Sequence, residues 1–339
     1  MKLVKTVDAI GHVICHDITV IVKDEKKGVA FKKGHVVREQ DIPELLKIGK
    51  EHLYIWEKQE GMLHENEAAS ILFSLCQGEN ILGSEVKEGK IECIAAADGL
   101  FWVDKQRLNH VNSIDDIMIA TRHGGFPVKK GDKLAGTRVI PLVISKEKLD
   151  AAKAAAGDEP LMRVVPFRPM KAGIVTTGSE VFYGRIQDTF TPVIRNKLSE
   201  FGIEVIGHEI VSDEKQGITD AIFRMLQMGA EMVLCTGGMS VDPDDRTPAA
   251  IRDTGADIVT YGAPVLPGAM LLLSYYKGEI PILGLPGCVM YAKRTIFDLV
   301  LPKIAAGLTI TKREIAELGH GGFCLNCPEC VYPNCGFGK

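Results

Sequence analysis

At 339 residues the chain is too long for one ordinary core and suits two domains of the usual ~100–200 residues. With 46% hydrophobic and 25% charged residues it has the composition of a folded protein, without a long disordered stretch. Its 44 acidic and 40 basic residues are mixed along the chain, leaving no basic field to neutralise a phosphate backbone, so nucleic acid is excluded as an expected partner.

His12, His16 and Asp17 interrupt any apolar segment near the amino terminus, which argues against a secretory signal. The most apolar run, 270–276, is far shorter than the ~20 residues that span a bilayer. The expectation is a cytoplasmic protein without a membrane partner.

Residues 1–145 alternate short β-branched runs with turn signals, as in 17–23 followed by the turn 24–28, which predicts a hairpin. The lysines around it, Lys23, Lys26, Lys27, Lys32 and Lys33, are those of a solvated turn. Helical patterns at 40–48 and 66–76 complete a β-rich α+β domain. The Ala-rich run 151–156 and Pro160, Pro166 and Pro169 mark 146–170 as the connection between the two domains.

From 171 to 308 the rhythm changes to strand, glycine turn, helix. Strands are predicted at 173–177, 203–211, 231–236, 270–276 and 280–285, and helices at 188–201, 217–228 and 289–304. A further helix starts with Thr247 as N-cap and Pro248 at its first position. This alternation predicts an α/β domain, a three-layer, mainly parallel sheet that binds its ligand at the carboxyl ends of the strands.

Four polar, glycine-rich loops follow those strands, at 176–180, 236–248, 264–268 and 284–287. Glycines let backbone N–H groups approach a phosphate closely, so an anionic, phosphate-bearing ligand is expected. Glu180, Asp188, Asp242, Asp244 and Asp245 in the same loops would repel a bare anion. They make sense with Mg²⁺ between carboxylate and phosphate. No Gly-x-x-x-x-Gly-Lys-Ser/Thr loop is present, so a nucleotide is not held as in P-loop enzymes.

Gly237-Gly238, then Asp245 and Thr247-Pro248, resemble the signature of the molybdopterin adenylyltransferase family. The run 238–241 resembles the matching loop of molybdopterin molybdenumtransferases, and 177–180, 184–188 and 285–287 resemble loops shared by both. The resemblance implies a molybdopterin-binding fold and a role in molybdenum or tungsten cofactor biosynthesis, by Mg²⁺-dependent adenylylation of molybdopterin or metal insertion into it. By the same resemblance Asp188 and Asp245 are the catalytic aspartates and Glu180 an acidic position beside them. Thr177, Gly178, Ser179, Gly237, Gly238, Ser240, Asp242, Thr247, Pro286 and Gly287 would bind the pterin. Implied partners are ATP or AMP, molybdate or tungstate, a further copy of the chain in a homo-oligomer, and a molybdoenzyme apo-protein.

Two departures stand out. Asp242 replaces the glycine usual in the molybdenumtransferase loop, and a cysteine-rich tail, 309–339, stands where that family has a β-barrel. Both leave room for an alternative to an enzyme, a non-catalytic carrier or sensor of the cofactor. Residues 1–145 resemble the transferase's accessory domains only loosely, so no residue roles are carried over there.

Of nine cysteines, Cys15, Cys76, Cys93, Cys235 and Cys288 sit among apolar neighbours as small buried thiols. Cys324, Cys327, Cys330 and Cys335 crowd the tail, a spacing that suits one zinc ion or an iron–sulfur cluster, with His320 as a substitute ligand. So small an apolar complement is expected to order only around bound metal, as a segment separable from the α/β domain.

Overall fold

The computed structural model describes residues 2–22, 26–55, 60–240, 242 and 245–339. The chain forms two compact units, one of residues 1–96, 103–122 and 131–163, the other of 97–102, 123–130 and 164–339.

The first unit is β-rich. A four-stranded antiparallel sheet runs in the order Ile81–Gly83, Lys90–Ala95, Lys133–Val139, Ile117–Thr121. Along Lys90–Ala95 buried residues alternate with less buried ones, so one face points to a core. Against it lies the helix Glu65–Cys76, which buries Ala68, Ala69, Leu72 and Cys76 at helical spacing. Nearer the amino terminus Ile18–Val22 pairs with Lys26–Phe31, and the turn of that hairpin, 23–25, lies outside the described residues.

The expected connection at 146–170 is structured instead. Lys146–Ala156 is a helix that buries Leu149, Ala152 and Ala156, so its alanines serve as a packing face. Met162–Val165 then joins a three-stranded sheet with Gly99–Val103 and Phe126–Val128. Residues 97–102 and 123–130 group with the second unit because Phe126 enters that unit's core.

The second unit is the predicted α/β domain. Its strands are β1 Met170–Thr177, β2 Ile203–Val211, β3 Met232–Thr236, β4 Asp257–Tyr261, β5 Leu272–Tyr276 and β6 Ile280–Leu285, in the order β2-β1-β3-β6-β5-β4. β2, β1, β3 and β6 run parallel, and β5 is antiparallel to both its neighbours. Its helices are α1 Ser179–Phe182, α2 Phe190–Ser199, α3 Lys215–Gln227, α4 Thr247–Asp253, α5 Ile296–Ala305 and α6 Lys312–Glu317.

The central strands are covered on both faces, which is why β3 is apolar without alternation. Ala172, Ile174, Met232 and Leu234 face Phe190, Ile194 and Leu198 of α2 and Phe297 and Leu301 of α5. Val175, Val233 and Cys235 face Ile222 and Met225 of α3 and Ile251 of α4. The predicted closing helix at 289–304 is divided: a 3-10 turn, Gly287–Met290, precedes α5. Thr295 and Asp298 form a reciprocal capping box that sets the later start, with Thr295 N donating to Asp298 Oδ2 at 2.8 Å and Phe297 N to Thr295 Oγ1 at 3.2 Å.

The cysteine tail is not detached, contrary to the expectation of a separable segment. Phe337, 4% exposed, enters the core beneath α5. Cys324 N donates to Leu266 O at 2.8 Å, and Tyr332 OH donates to Asp298 O at 3.0 Å. Three aromatic rings placed close together, Phe126, Tyr332 and Phe337, supply the apolar anchor that composition alone understated.

Candidate functional site

The parallel register puts the carboxyl ends of β1, β3 and β6 at one sheet edge, with Thr176 opposite Thr236 and Thr236 opposite Leu285. The loops after these strands carry most of the residues singled out in the sequence, and β2 contributes Asp213 from the same edge.

The centre is a tight turn at Gly237 and Gly238. Both have positive φ, 83° and 55°, and a Cβ on Gly237 would stand 2.2 Å from Thr177 O. Only glycine fits both demands. Thr247 Oγ1 donates to Gly237 O at 2.9 Å, which spends its single proton. Thr177 Oγ1, 3.2 Å away, must then donate to Thr247. Thr247 is thus the first residue of α4 rather than its N-cap, which is Arg246. Beside them Thr236 is fully buried, and its Oγ1 has no hydrogen-bond partner among the described residues. A buried hydroxyl left unpaired at a loop of this kind suits a polar ligand.

Asp188 is held firmly. Its Oδ1 accepts from the amides of Phe190 at 2.9 Å and Thr191 at 3.1 Å, fixing the first turn of α2. Its Oδ2 faces a polar cluster in which His208 Nε2 lies 3.4 Å from it, 3.0 Å from Thr176 Oγ1 and 3.1 Å from Thr191 Oγ1. Burial alone would raise the Asp188 carboxyl. The Thr191 hydroxyl, the Thr191 and Phe190 amides and His208 outweigh it and hold the group below its ordinary value. Burial lowers the His208 imidazole, only partly opposed by Asp188, so the pair favours an ionised carboxylate beside a neutral ring.

Asp245 lies in the longer loop, half-buried, and its Oδ2 accepts from the exposed Asp242's amide at 3.3 Å. Asp244, also named from sequence, lies outside the described residues, as do Val241 and Pro243. Tyr261 on β4 closes the loop's far side, its hydroxyl donating to Met239 O at 3.1 Å, with Ser240 O at 3.3 Å. Burial, and then Asp245, push the Tyr261 phenol up.

Glu180 is exposed on the short α1, where Ser179 N donates to Asp213 Oδ2 at 2.7 Å, and Gly178 opens that turn with φ 139°. Ser240 and Gly287 are exposed and Pro286 is buried. The structure therefore brings Thr177, Gly178, Ser179, Gly237, Gly238 and Thr247 to one edge with Asp188 and Asp245, while Glu180 faces solvent. Sequence reading placed Thr176 at the start of the first loop but missed His208, Thr191, Asp213 and Tyr261. Of these only Asp213, directly after a predicted strand, carried a positional signal.

The four tail cysteines lie around a separate cavity of about 550 Å³, which meets the glycine-rich loops only through Pro267 among the described residues. Among the described residues no three Cys, His, Asp or Glu side chains converge as a site for one metal ion. No described helix is long and apolar enough to cross a membrane.

Residues 173–306 match the family model described as a probable molybdopterin binding domain, and residues 3–57 match one described as a domain of unknown function. A CinA-like protein of Mycobacterium tuberculosis is 34% identical over 90 residues, 26% of this chain and 21% of that protein. The chain thus spans about a fifth of the length of the curated relatives it matches, 21% in this case. Among solved structures, the molybdopterin biosynthesis enzyme MoaB of Thermus thermophilus is 26% identical and covers 41% of this chain and 97% of its own, with a TM-score of 0.33. The tungsten cofactor synthesizing protein MoaB of Pyrococcus furiosus is 22% identical over 40% and 92% of the two chains, with a TM-score of 0.34.

Proposed function

Because residues 173–306 belong to the molybdopterin-binding domain family, we propose that the chain binds molybdopterin at its glycine loops and acts in molybdenum or tungsten cofactor biosynthesis. The observation that carries this reading is the Gly237–Gly238 turn, which must be glycine and lies against Thr177 and Thr247 at the edge that also carries Asp188. Backbone amides at a glycine turn suit a phosphate, the Thr177 and Thr247 hydroxyls being used to hold the turn itself, and the unpaired Thr236 hydroxyl suits a polar group beside it.

The proposed chemistry is attack by a pterin phosphate oxygen on the α-phosphorus of ATP, with pyrophosphate leaving, or insertion of molybdate or tungstate into the adenylylated product, with the pterin–adenylyl phosphoanhydride broken and AMP released. Asp188 and Asp245 would hold Mg²⁺, with Glu180 reached through water. The preference of Asp188 for its charged form fits a cation ligand. Asp242, exposed beside the loop, supports the second reading, a carrier that binds cofactor and passes it to an apo-molybdoenzyme.

Incubating the purified chain with molybdopterin, ATP and Mg²⁺ separates the readings. Adenylylated pterin with pyrophosphate is the expected result. If pterin binds without pyrophosphate, adenylylated pterin with molybdate separates the rest, release of AMP marking insertion and binding alone the carrier, and no binding overturns all three.

A further inference from the structure

Four of the cysteines left unused by the loop site share one location. Cys324, Cys327, Cys330 and Cys335 all line the cavity of about 550 Å³ between the tail and the segment 291–294. We propose that these four thiols hold a four-iron iron–sulfur cluster there. The proposal is independent of the pterin reading.

The first argument is geometric. A single tetrahedral zinc draws four sulfurs to ~2.3 Å from one point, so that they nearly touch each other. Here all four cysteines line one cavity while no three of them converge on a single point, which leaves room for a ligand with volume of its own.

The second is that the walls are built by protein contacts that need no metal. Phe337 is buried in the core, Cys324 N is bonded to Leu266 O, and Gly321 O accepts from Gly338 N at 2.9 Å. Such a frame holds ligands at fixed positions before anything binds. Phe323 and Leu325 are among the cavity's lining residues and give it an apolar but solvent-exposed side.

The third is charge. Four thiolates leave an iron–sulfur cluster anionic overall, and two cations stand in the same wall. Lys293 Nζ donates to Pro328 O at 2.7 Å, on the loop between Cys327 and Cys330. Arg294 is fixed by Asp298 at 2.8 Å and lies 4.8 Å from the centre of the Tyr332 ring. The cavity also adjoins the Asp188 loop, since Thr189 Oγ1 donates to Met290 Sδ at 2.9 Å and the next residue, Tyr291, lines the cavity. Cys327 and Cys330 are exposed, so the cluster would be reached by oxygen.

The test uses the full chain, purified without oxygen and reconstituted with ferrous iron and sulfide. Expected are about four irons and four acid-labile sulfides per chain, with a broad visible absorption bleached by dithionite. The Cys327→Ser, Cys330→Ser double variant, altered only at exposed positions, should lose both, and Cys288→Ser should keep them. Circular dichroism and molybdopterin binding, measured on the same samples, report folding and the pterin site separately. Stoichiometric zinc without sulfide, a folded chain that takes up neither metal, or unchanged iron in the double variant would overturn the proposal.

Discussion

The two halves of the loop site are built differently. Asp188 is tied to two backbone amides and surrounded by Thr176, Thr191 and His208, so its geometry is complete before any ligand arrives. Among the described residues the Asp245 carboxylate accepts only a long hydrogen bond from the amide of exposed Asp242, and it depends on Tyr261 and the glycine turn to keep its loop in place. One carboxylate is preorganised, whereas the other is held by fewer contacts and, under the proposed function, would meet a cation bound at the first. Preorganisation has a structural consequence: Asp188 also supports α2, so its removal touches stability as well as chemistry, whereas removal of Asp245 should touch chemistry alone.

The largest effect expected is on turnover. If the proposed adenylylation holds, Asp188→Ala and Asp245→Ala should each lower it by about a thousandfold, or ~4 kcal/mol at the barrier, because each would remove a proposed cation ligand. Full activity in either would break the comparison at its root.

Next is the support beneath the Asp188 half. Lys197 of α2 and Asp298 of α5 form a buried pair at 2.6 Å, with side chains 10% and 4% exposed. Lys197→Ala leaves Arg294 and the Thr295 cap to hold the carboxylate and should cost about 3 kcal/mol in chemical denaturation. An unchanged midpoint would show that α2 does not need this clamp.

A smaller difference separates the aspartates themselves. Asp188→Ala should destabilise the fold by about 1 kcal/mol through the lost contacts at the start of α2, and Asp245→Ala by almost nothing. Equal melting temperatures for the two variants would remove the distinction between the halves.

The smallest effect is on pH dependence. His208 is held below its ordinary 6.5, so the unfolded chain protonates first as pH falls. Stability present above pH 6.5 is therefore lost on acidification through the depressed folded value. Asp188 is depressed from 3.8, and its contribution is lost in the same direction at lower pH. His208→Gln should flatten the upper part of this decline and leave the lower part in place.

Much of the α/β domain was legible in the sequence because its central strands are apolar on both faces and its helices carry stripes such as Ile218, Ile222 and Met225. β4 was not, because as an edge strand it has no fully buried residue, and Asp257, Ile258 and Tyr261 are exposed. The break between the Gly287–Met290 turn and α5 lay in the Thr295–Asp298 cap, hidden within a run that could continue as helix. In the site, loop residues announced themselves through glycine, threonine and aspartate spacing. His208 did not, since one histidine within a strand means nothing until its neighbour across the sheet, Ile174, and the Asp188 loop are placed beside it. The tail's attachment was equally hidden, because it depends on Phe337 and Tyr332 meeting Phe126 from a distant part of the chain.

The central claim is that the Gly237–Gly238 turn is a molybdopterin site, and equilibrium binding of molybdopterin to the full chain tests it most directly. Saturable binding is predicted, together with its loss in Gly237→Ala, where the new Cβ would stand 2.2 Å from Thr177 O, while thermal unfolding shows the variant still folded. Absence of binding by the unaltered chain, or equal affinity in a folded Gly237→Ala variant, would contradict it.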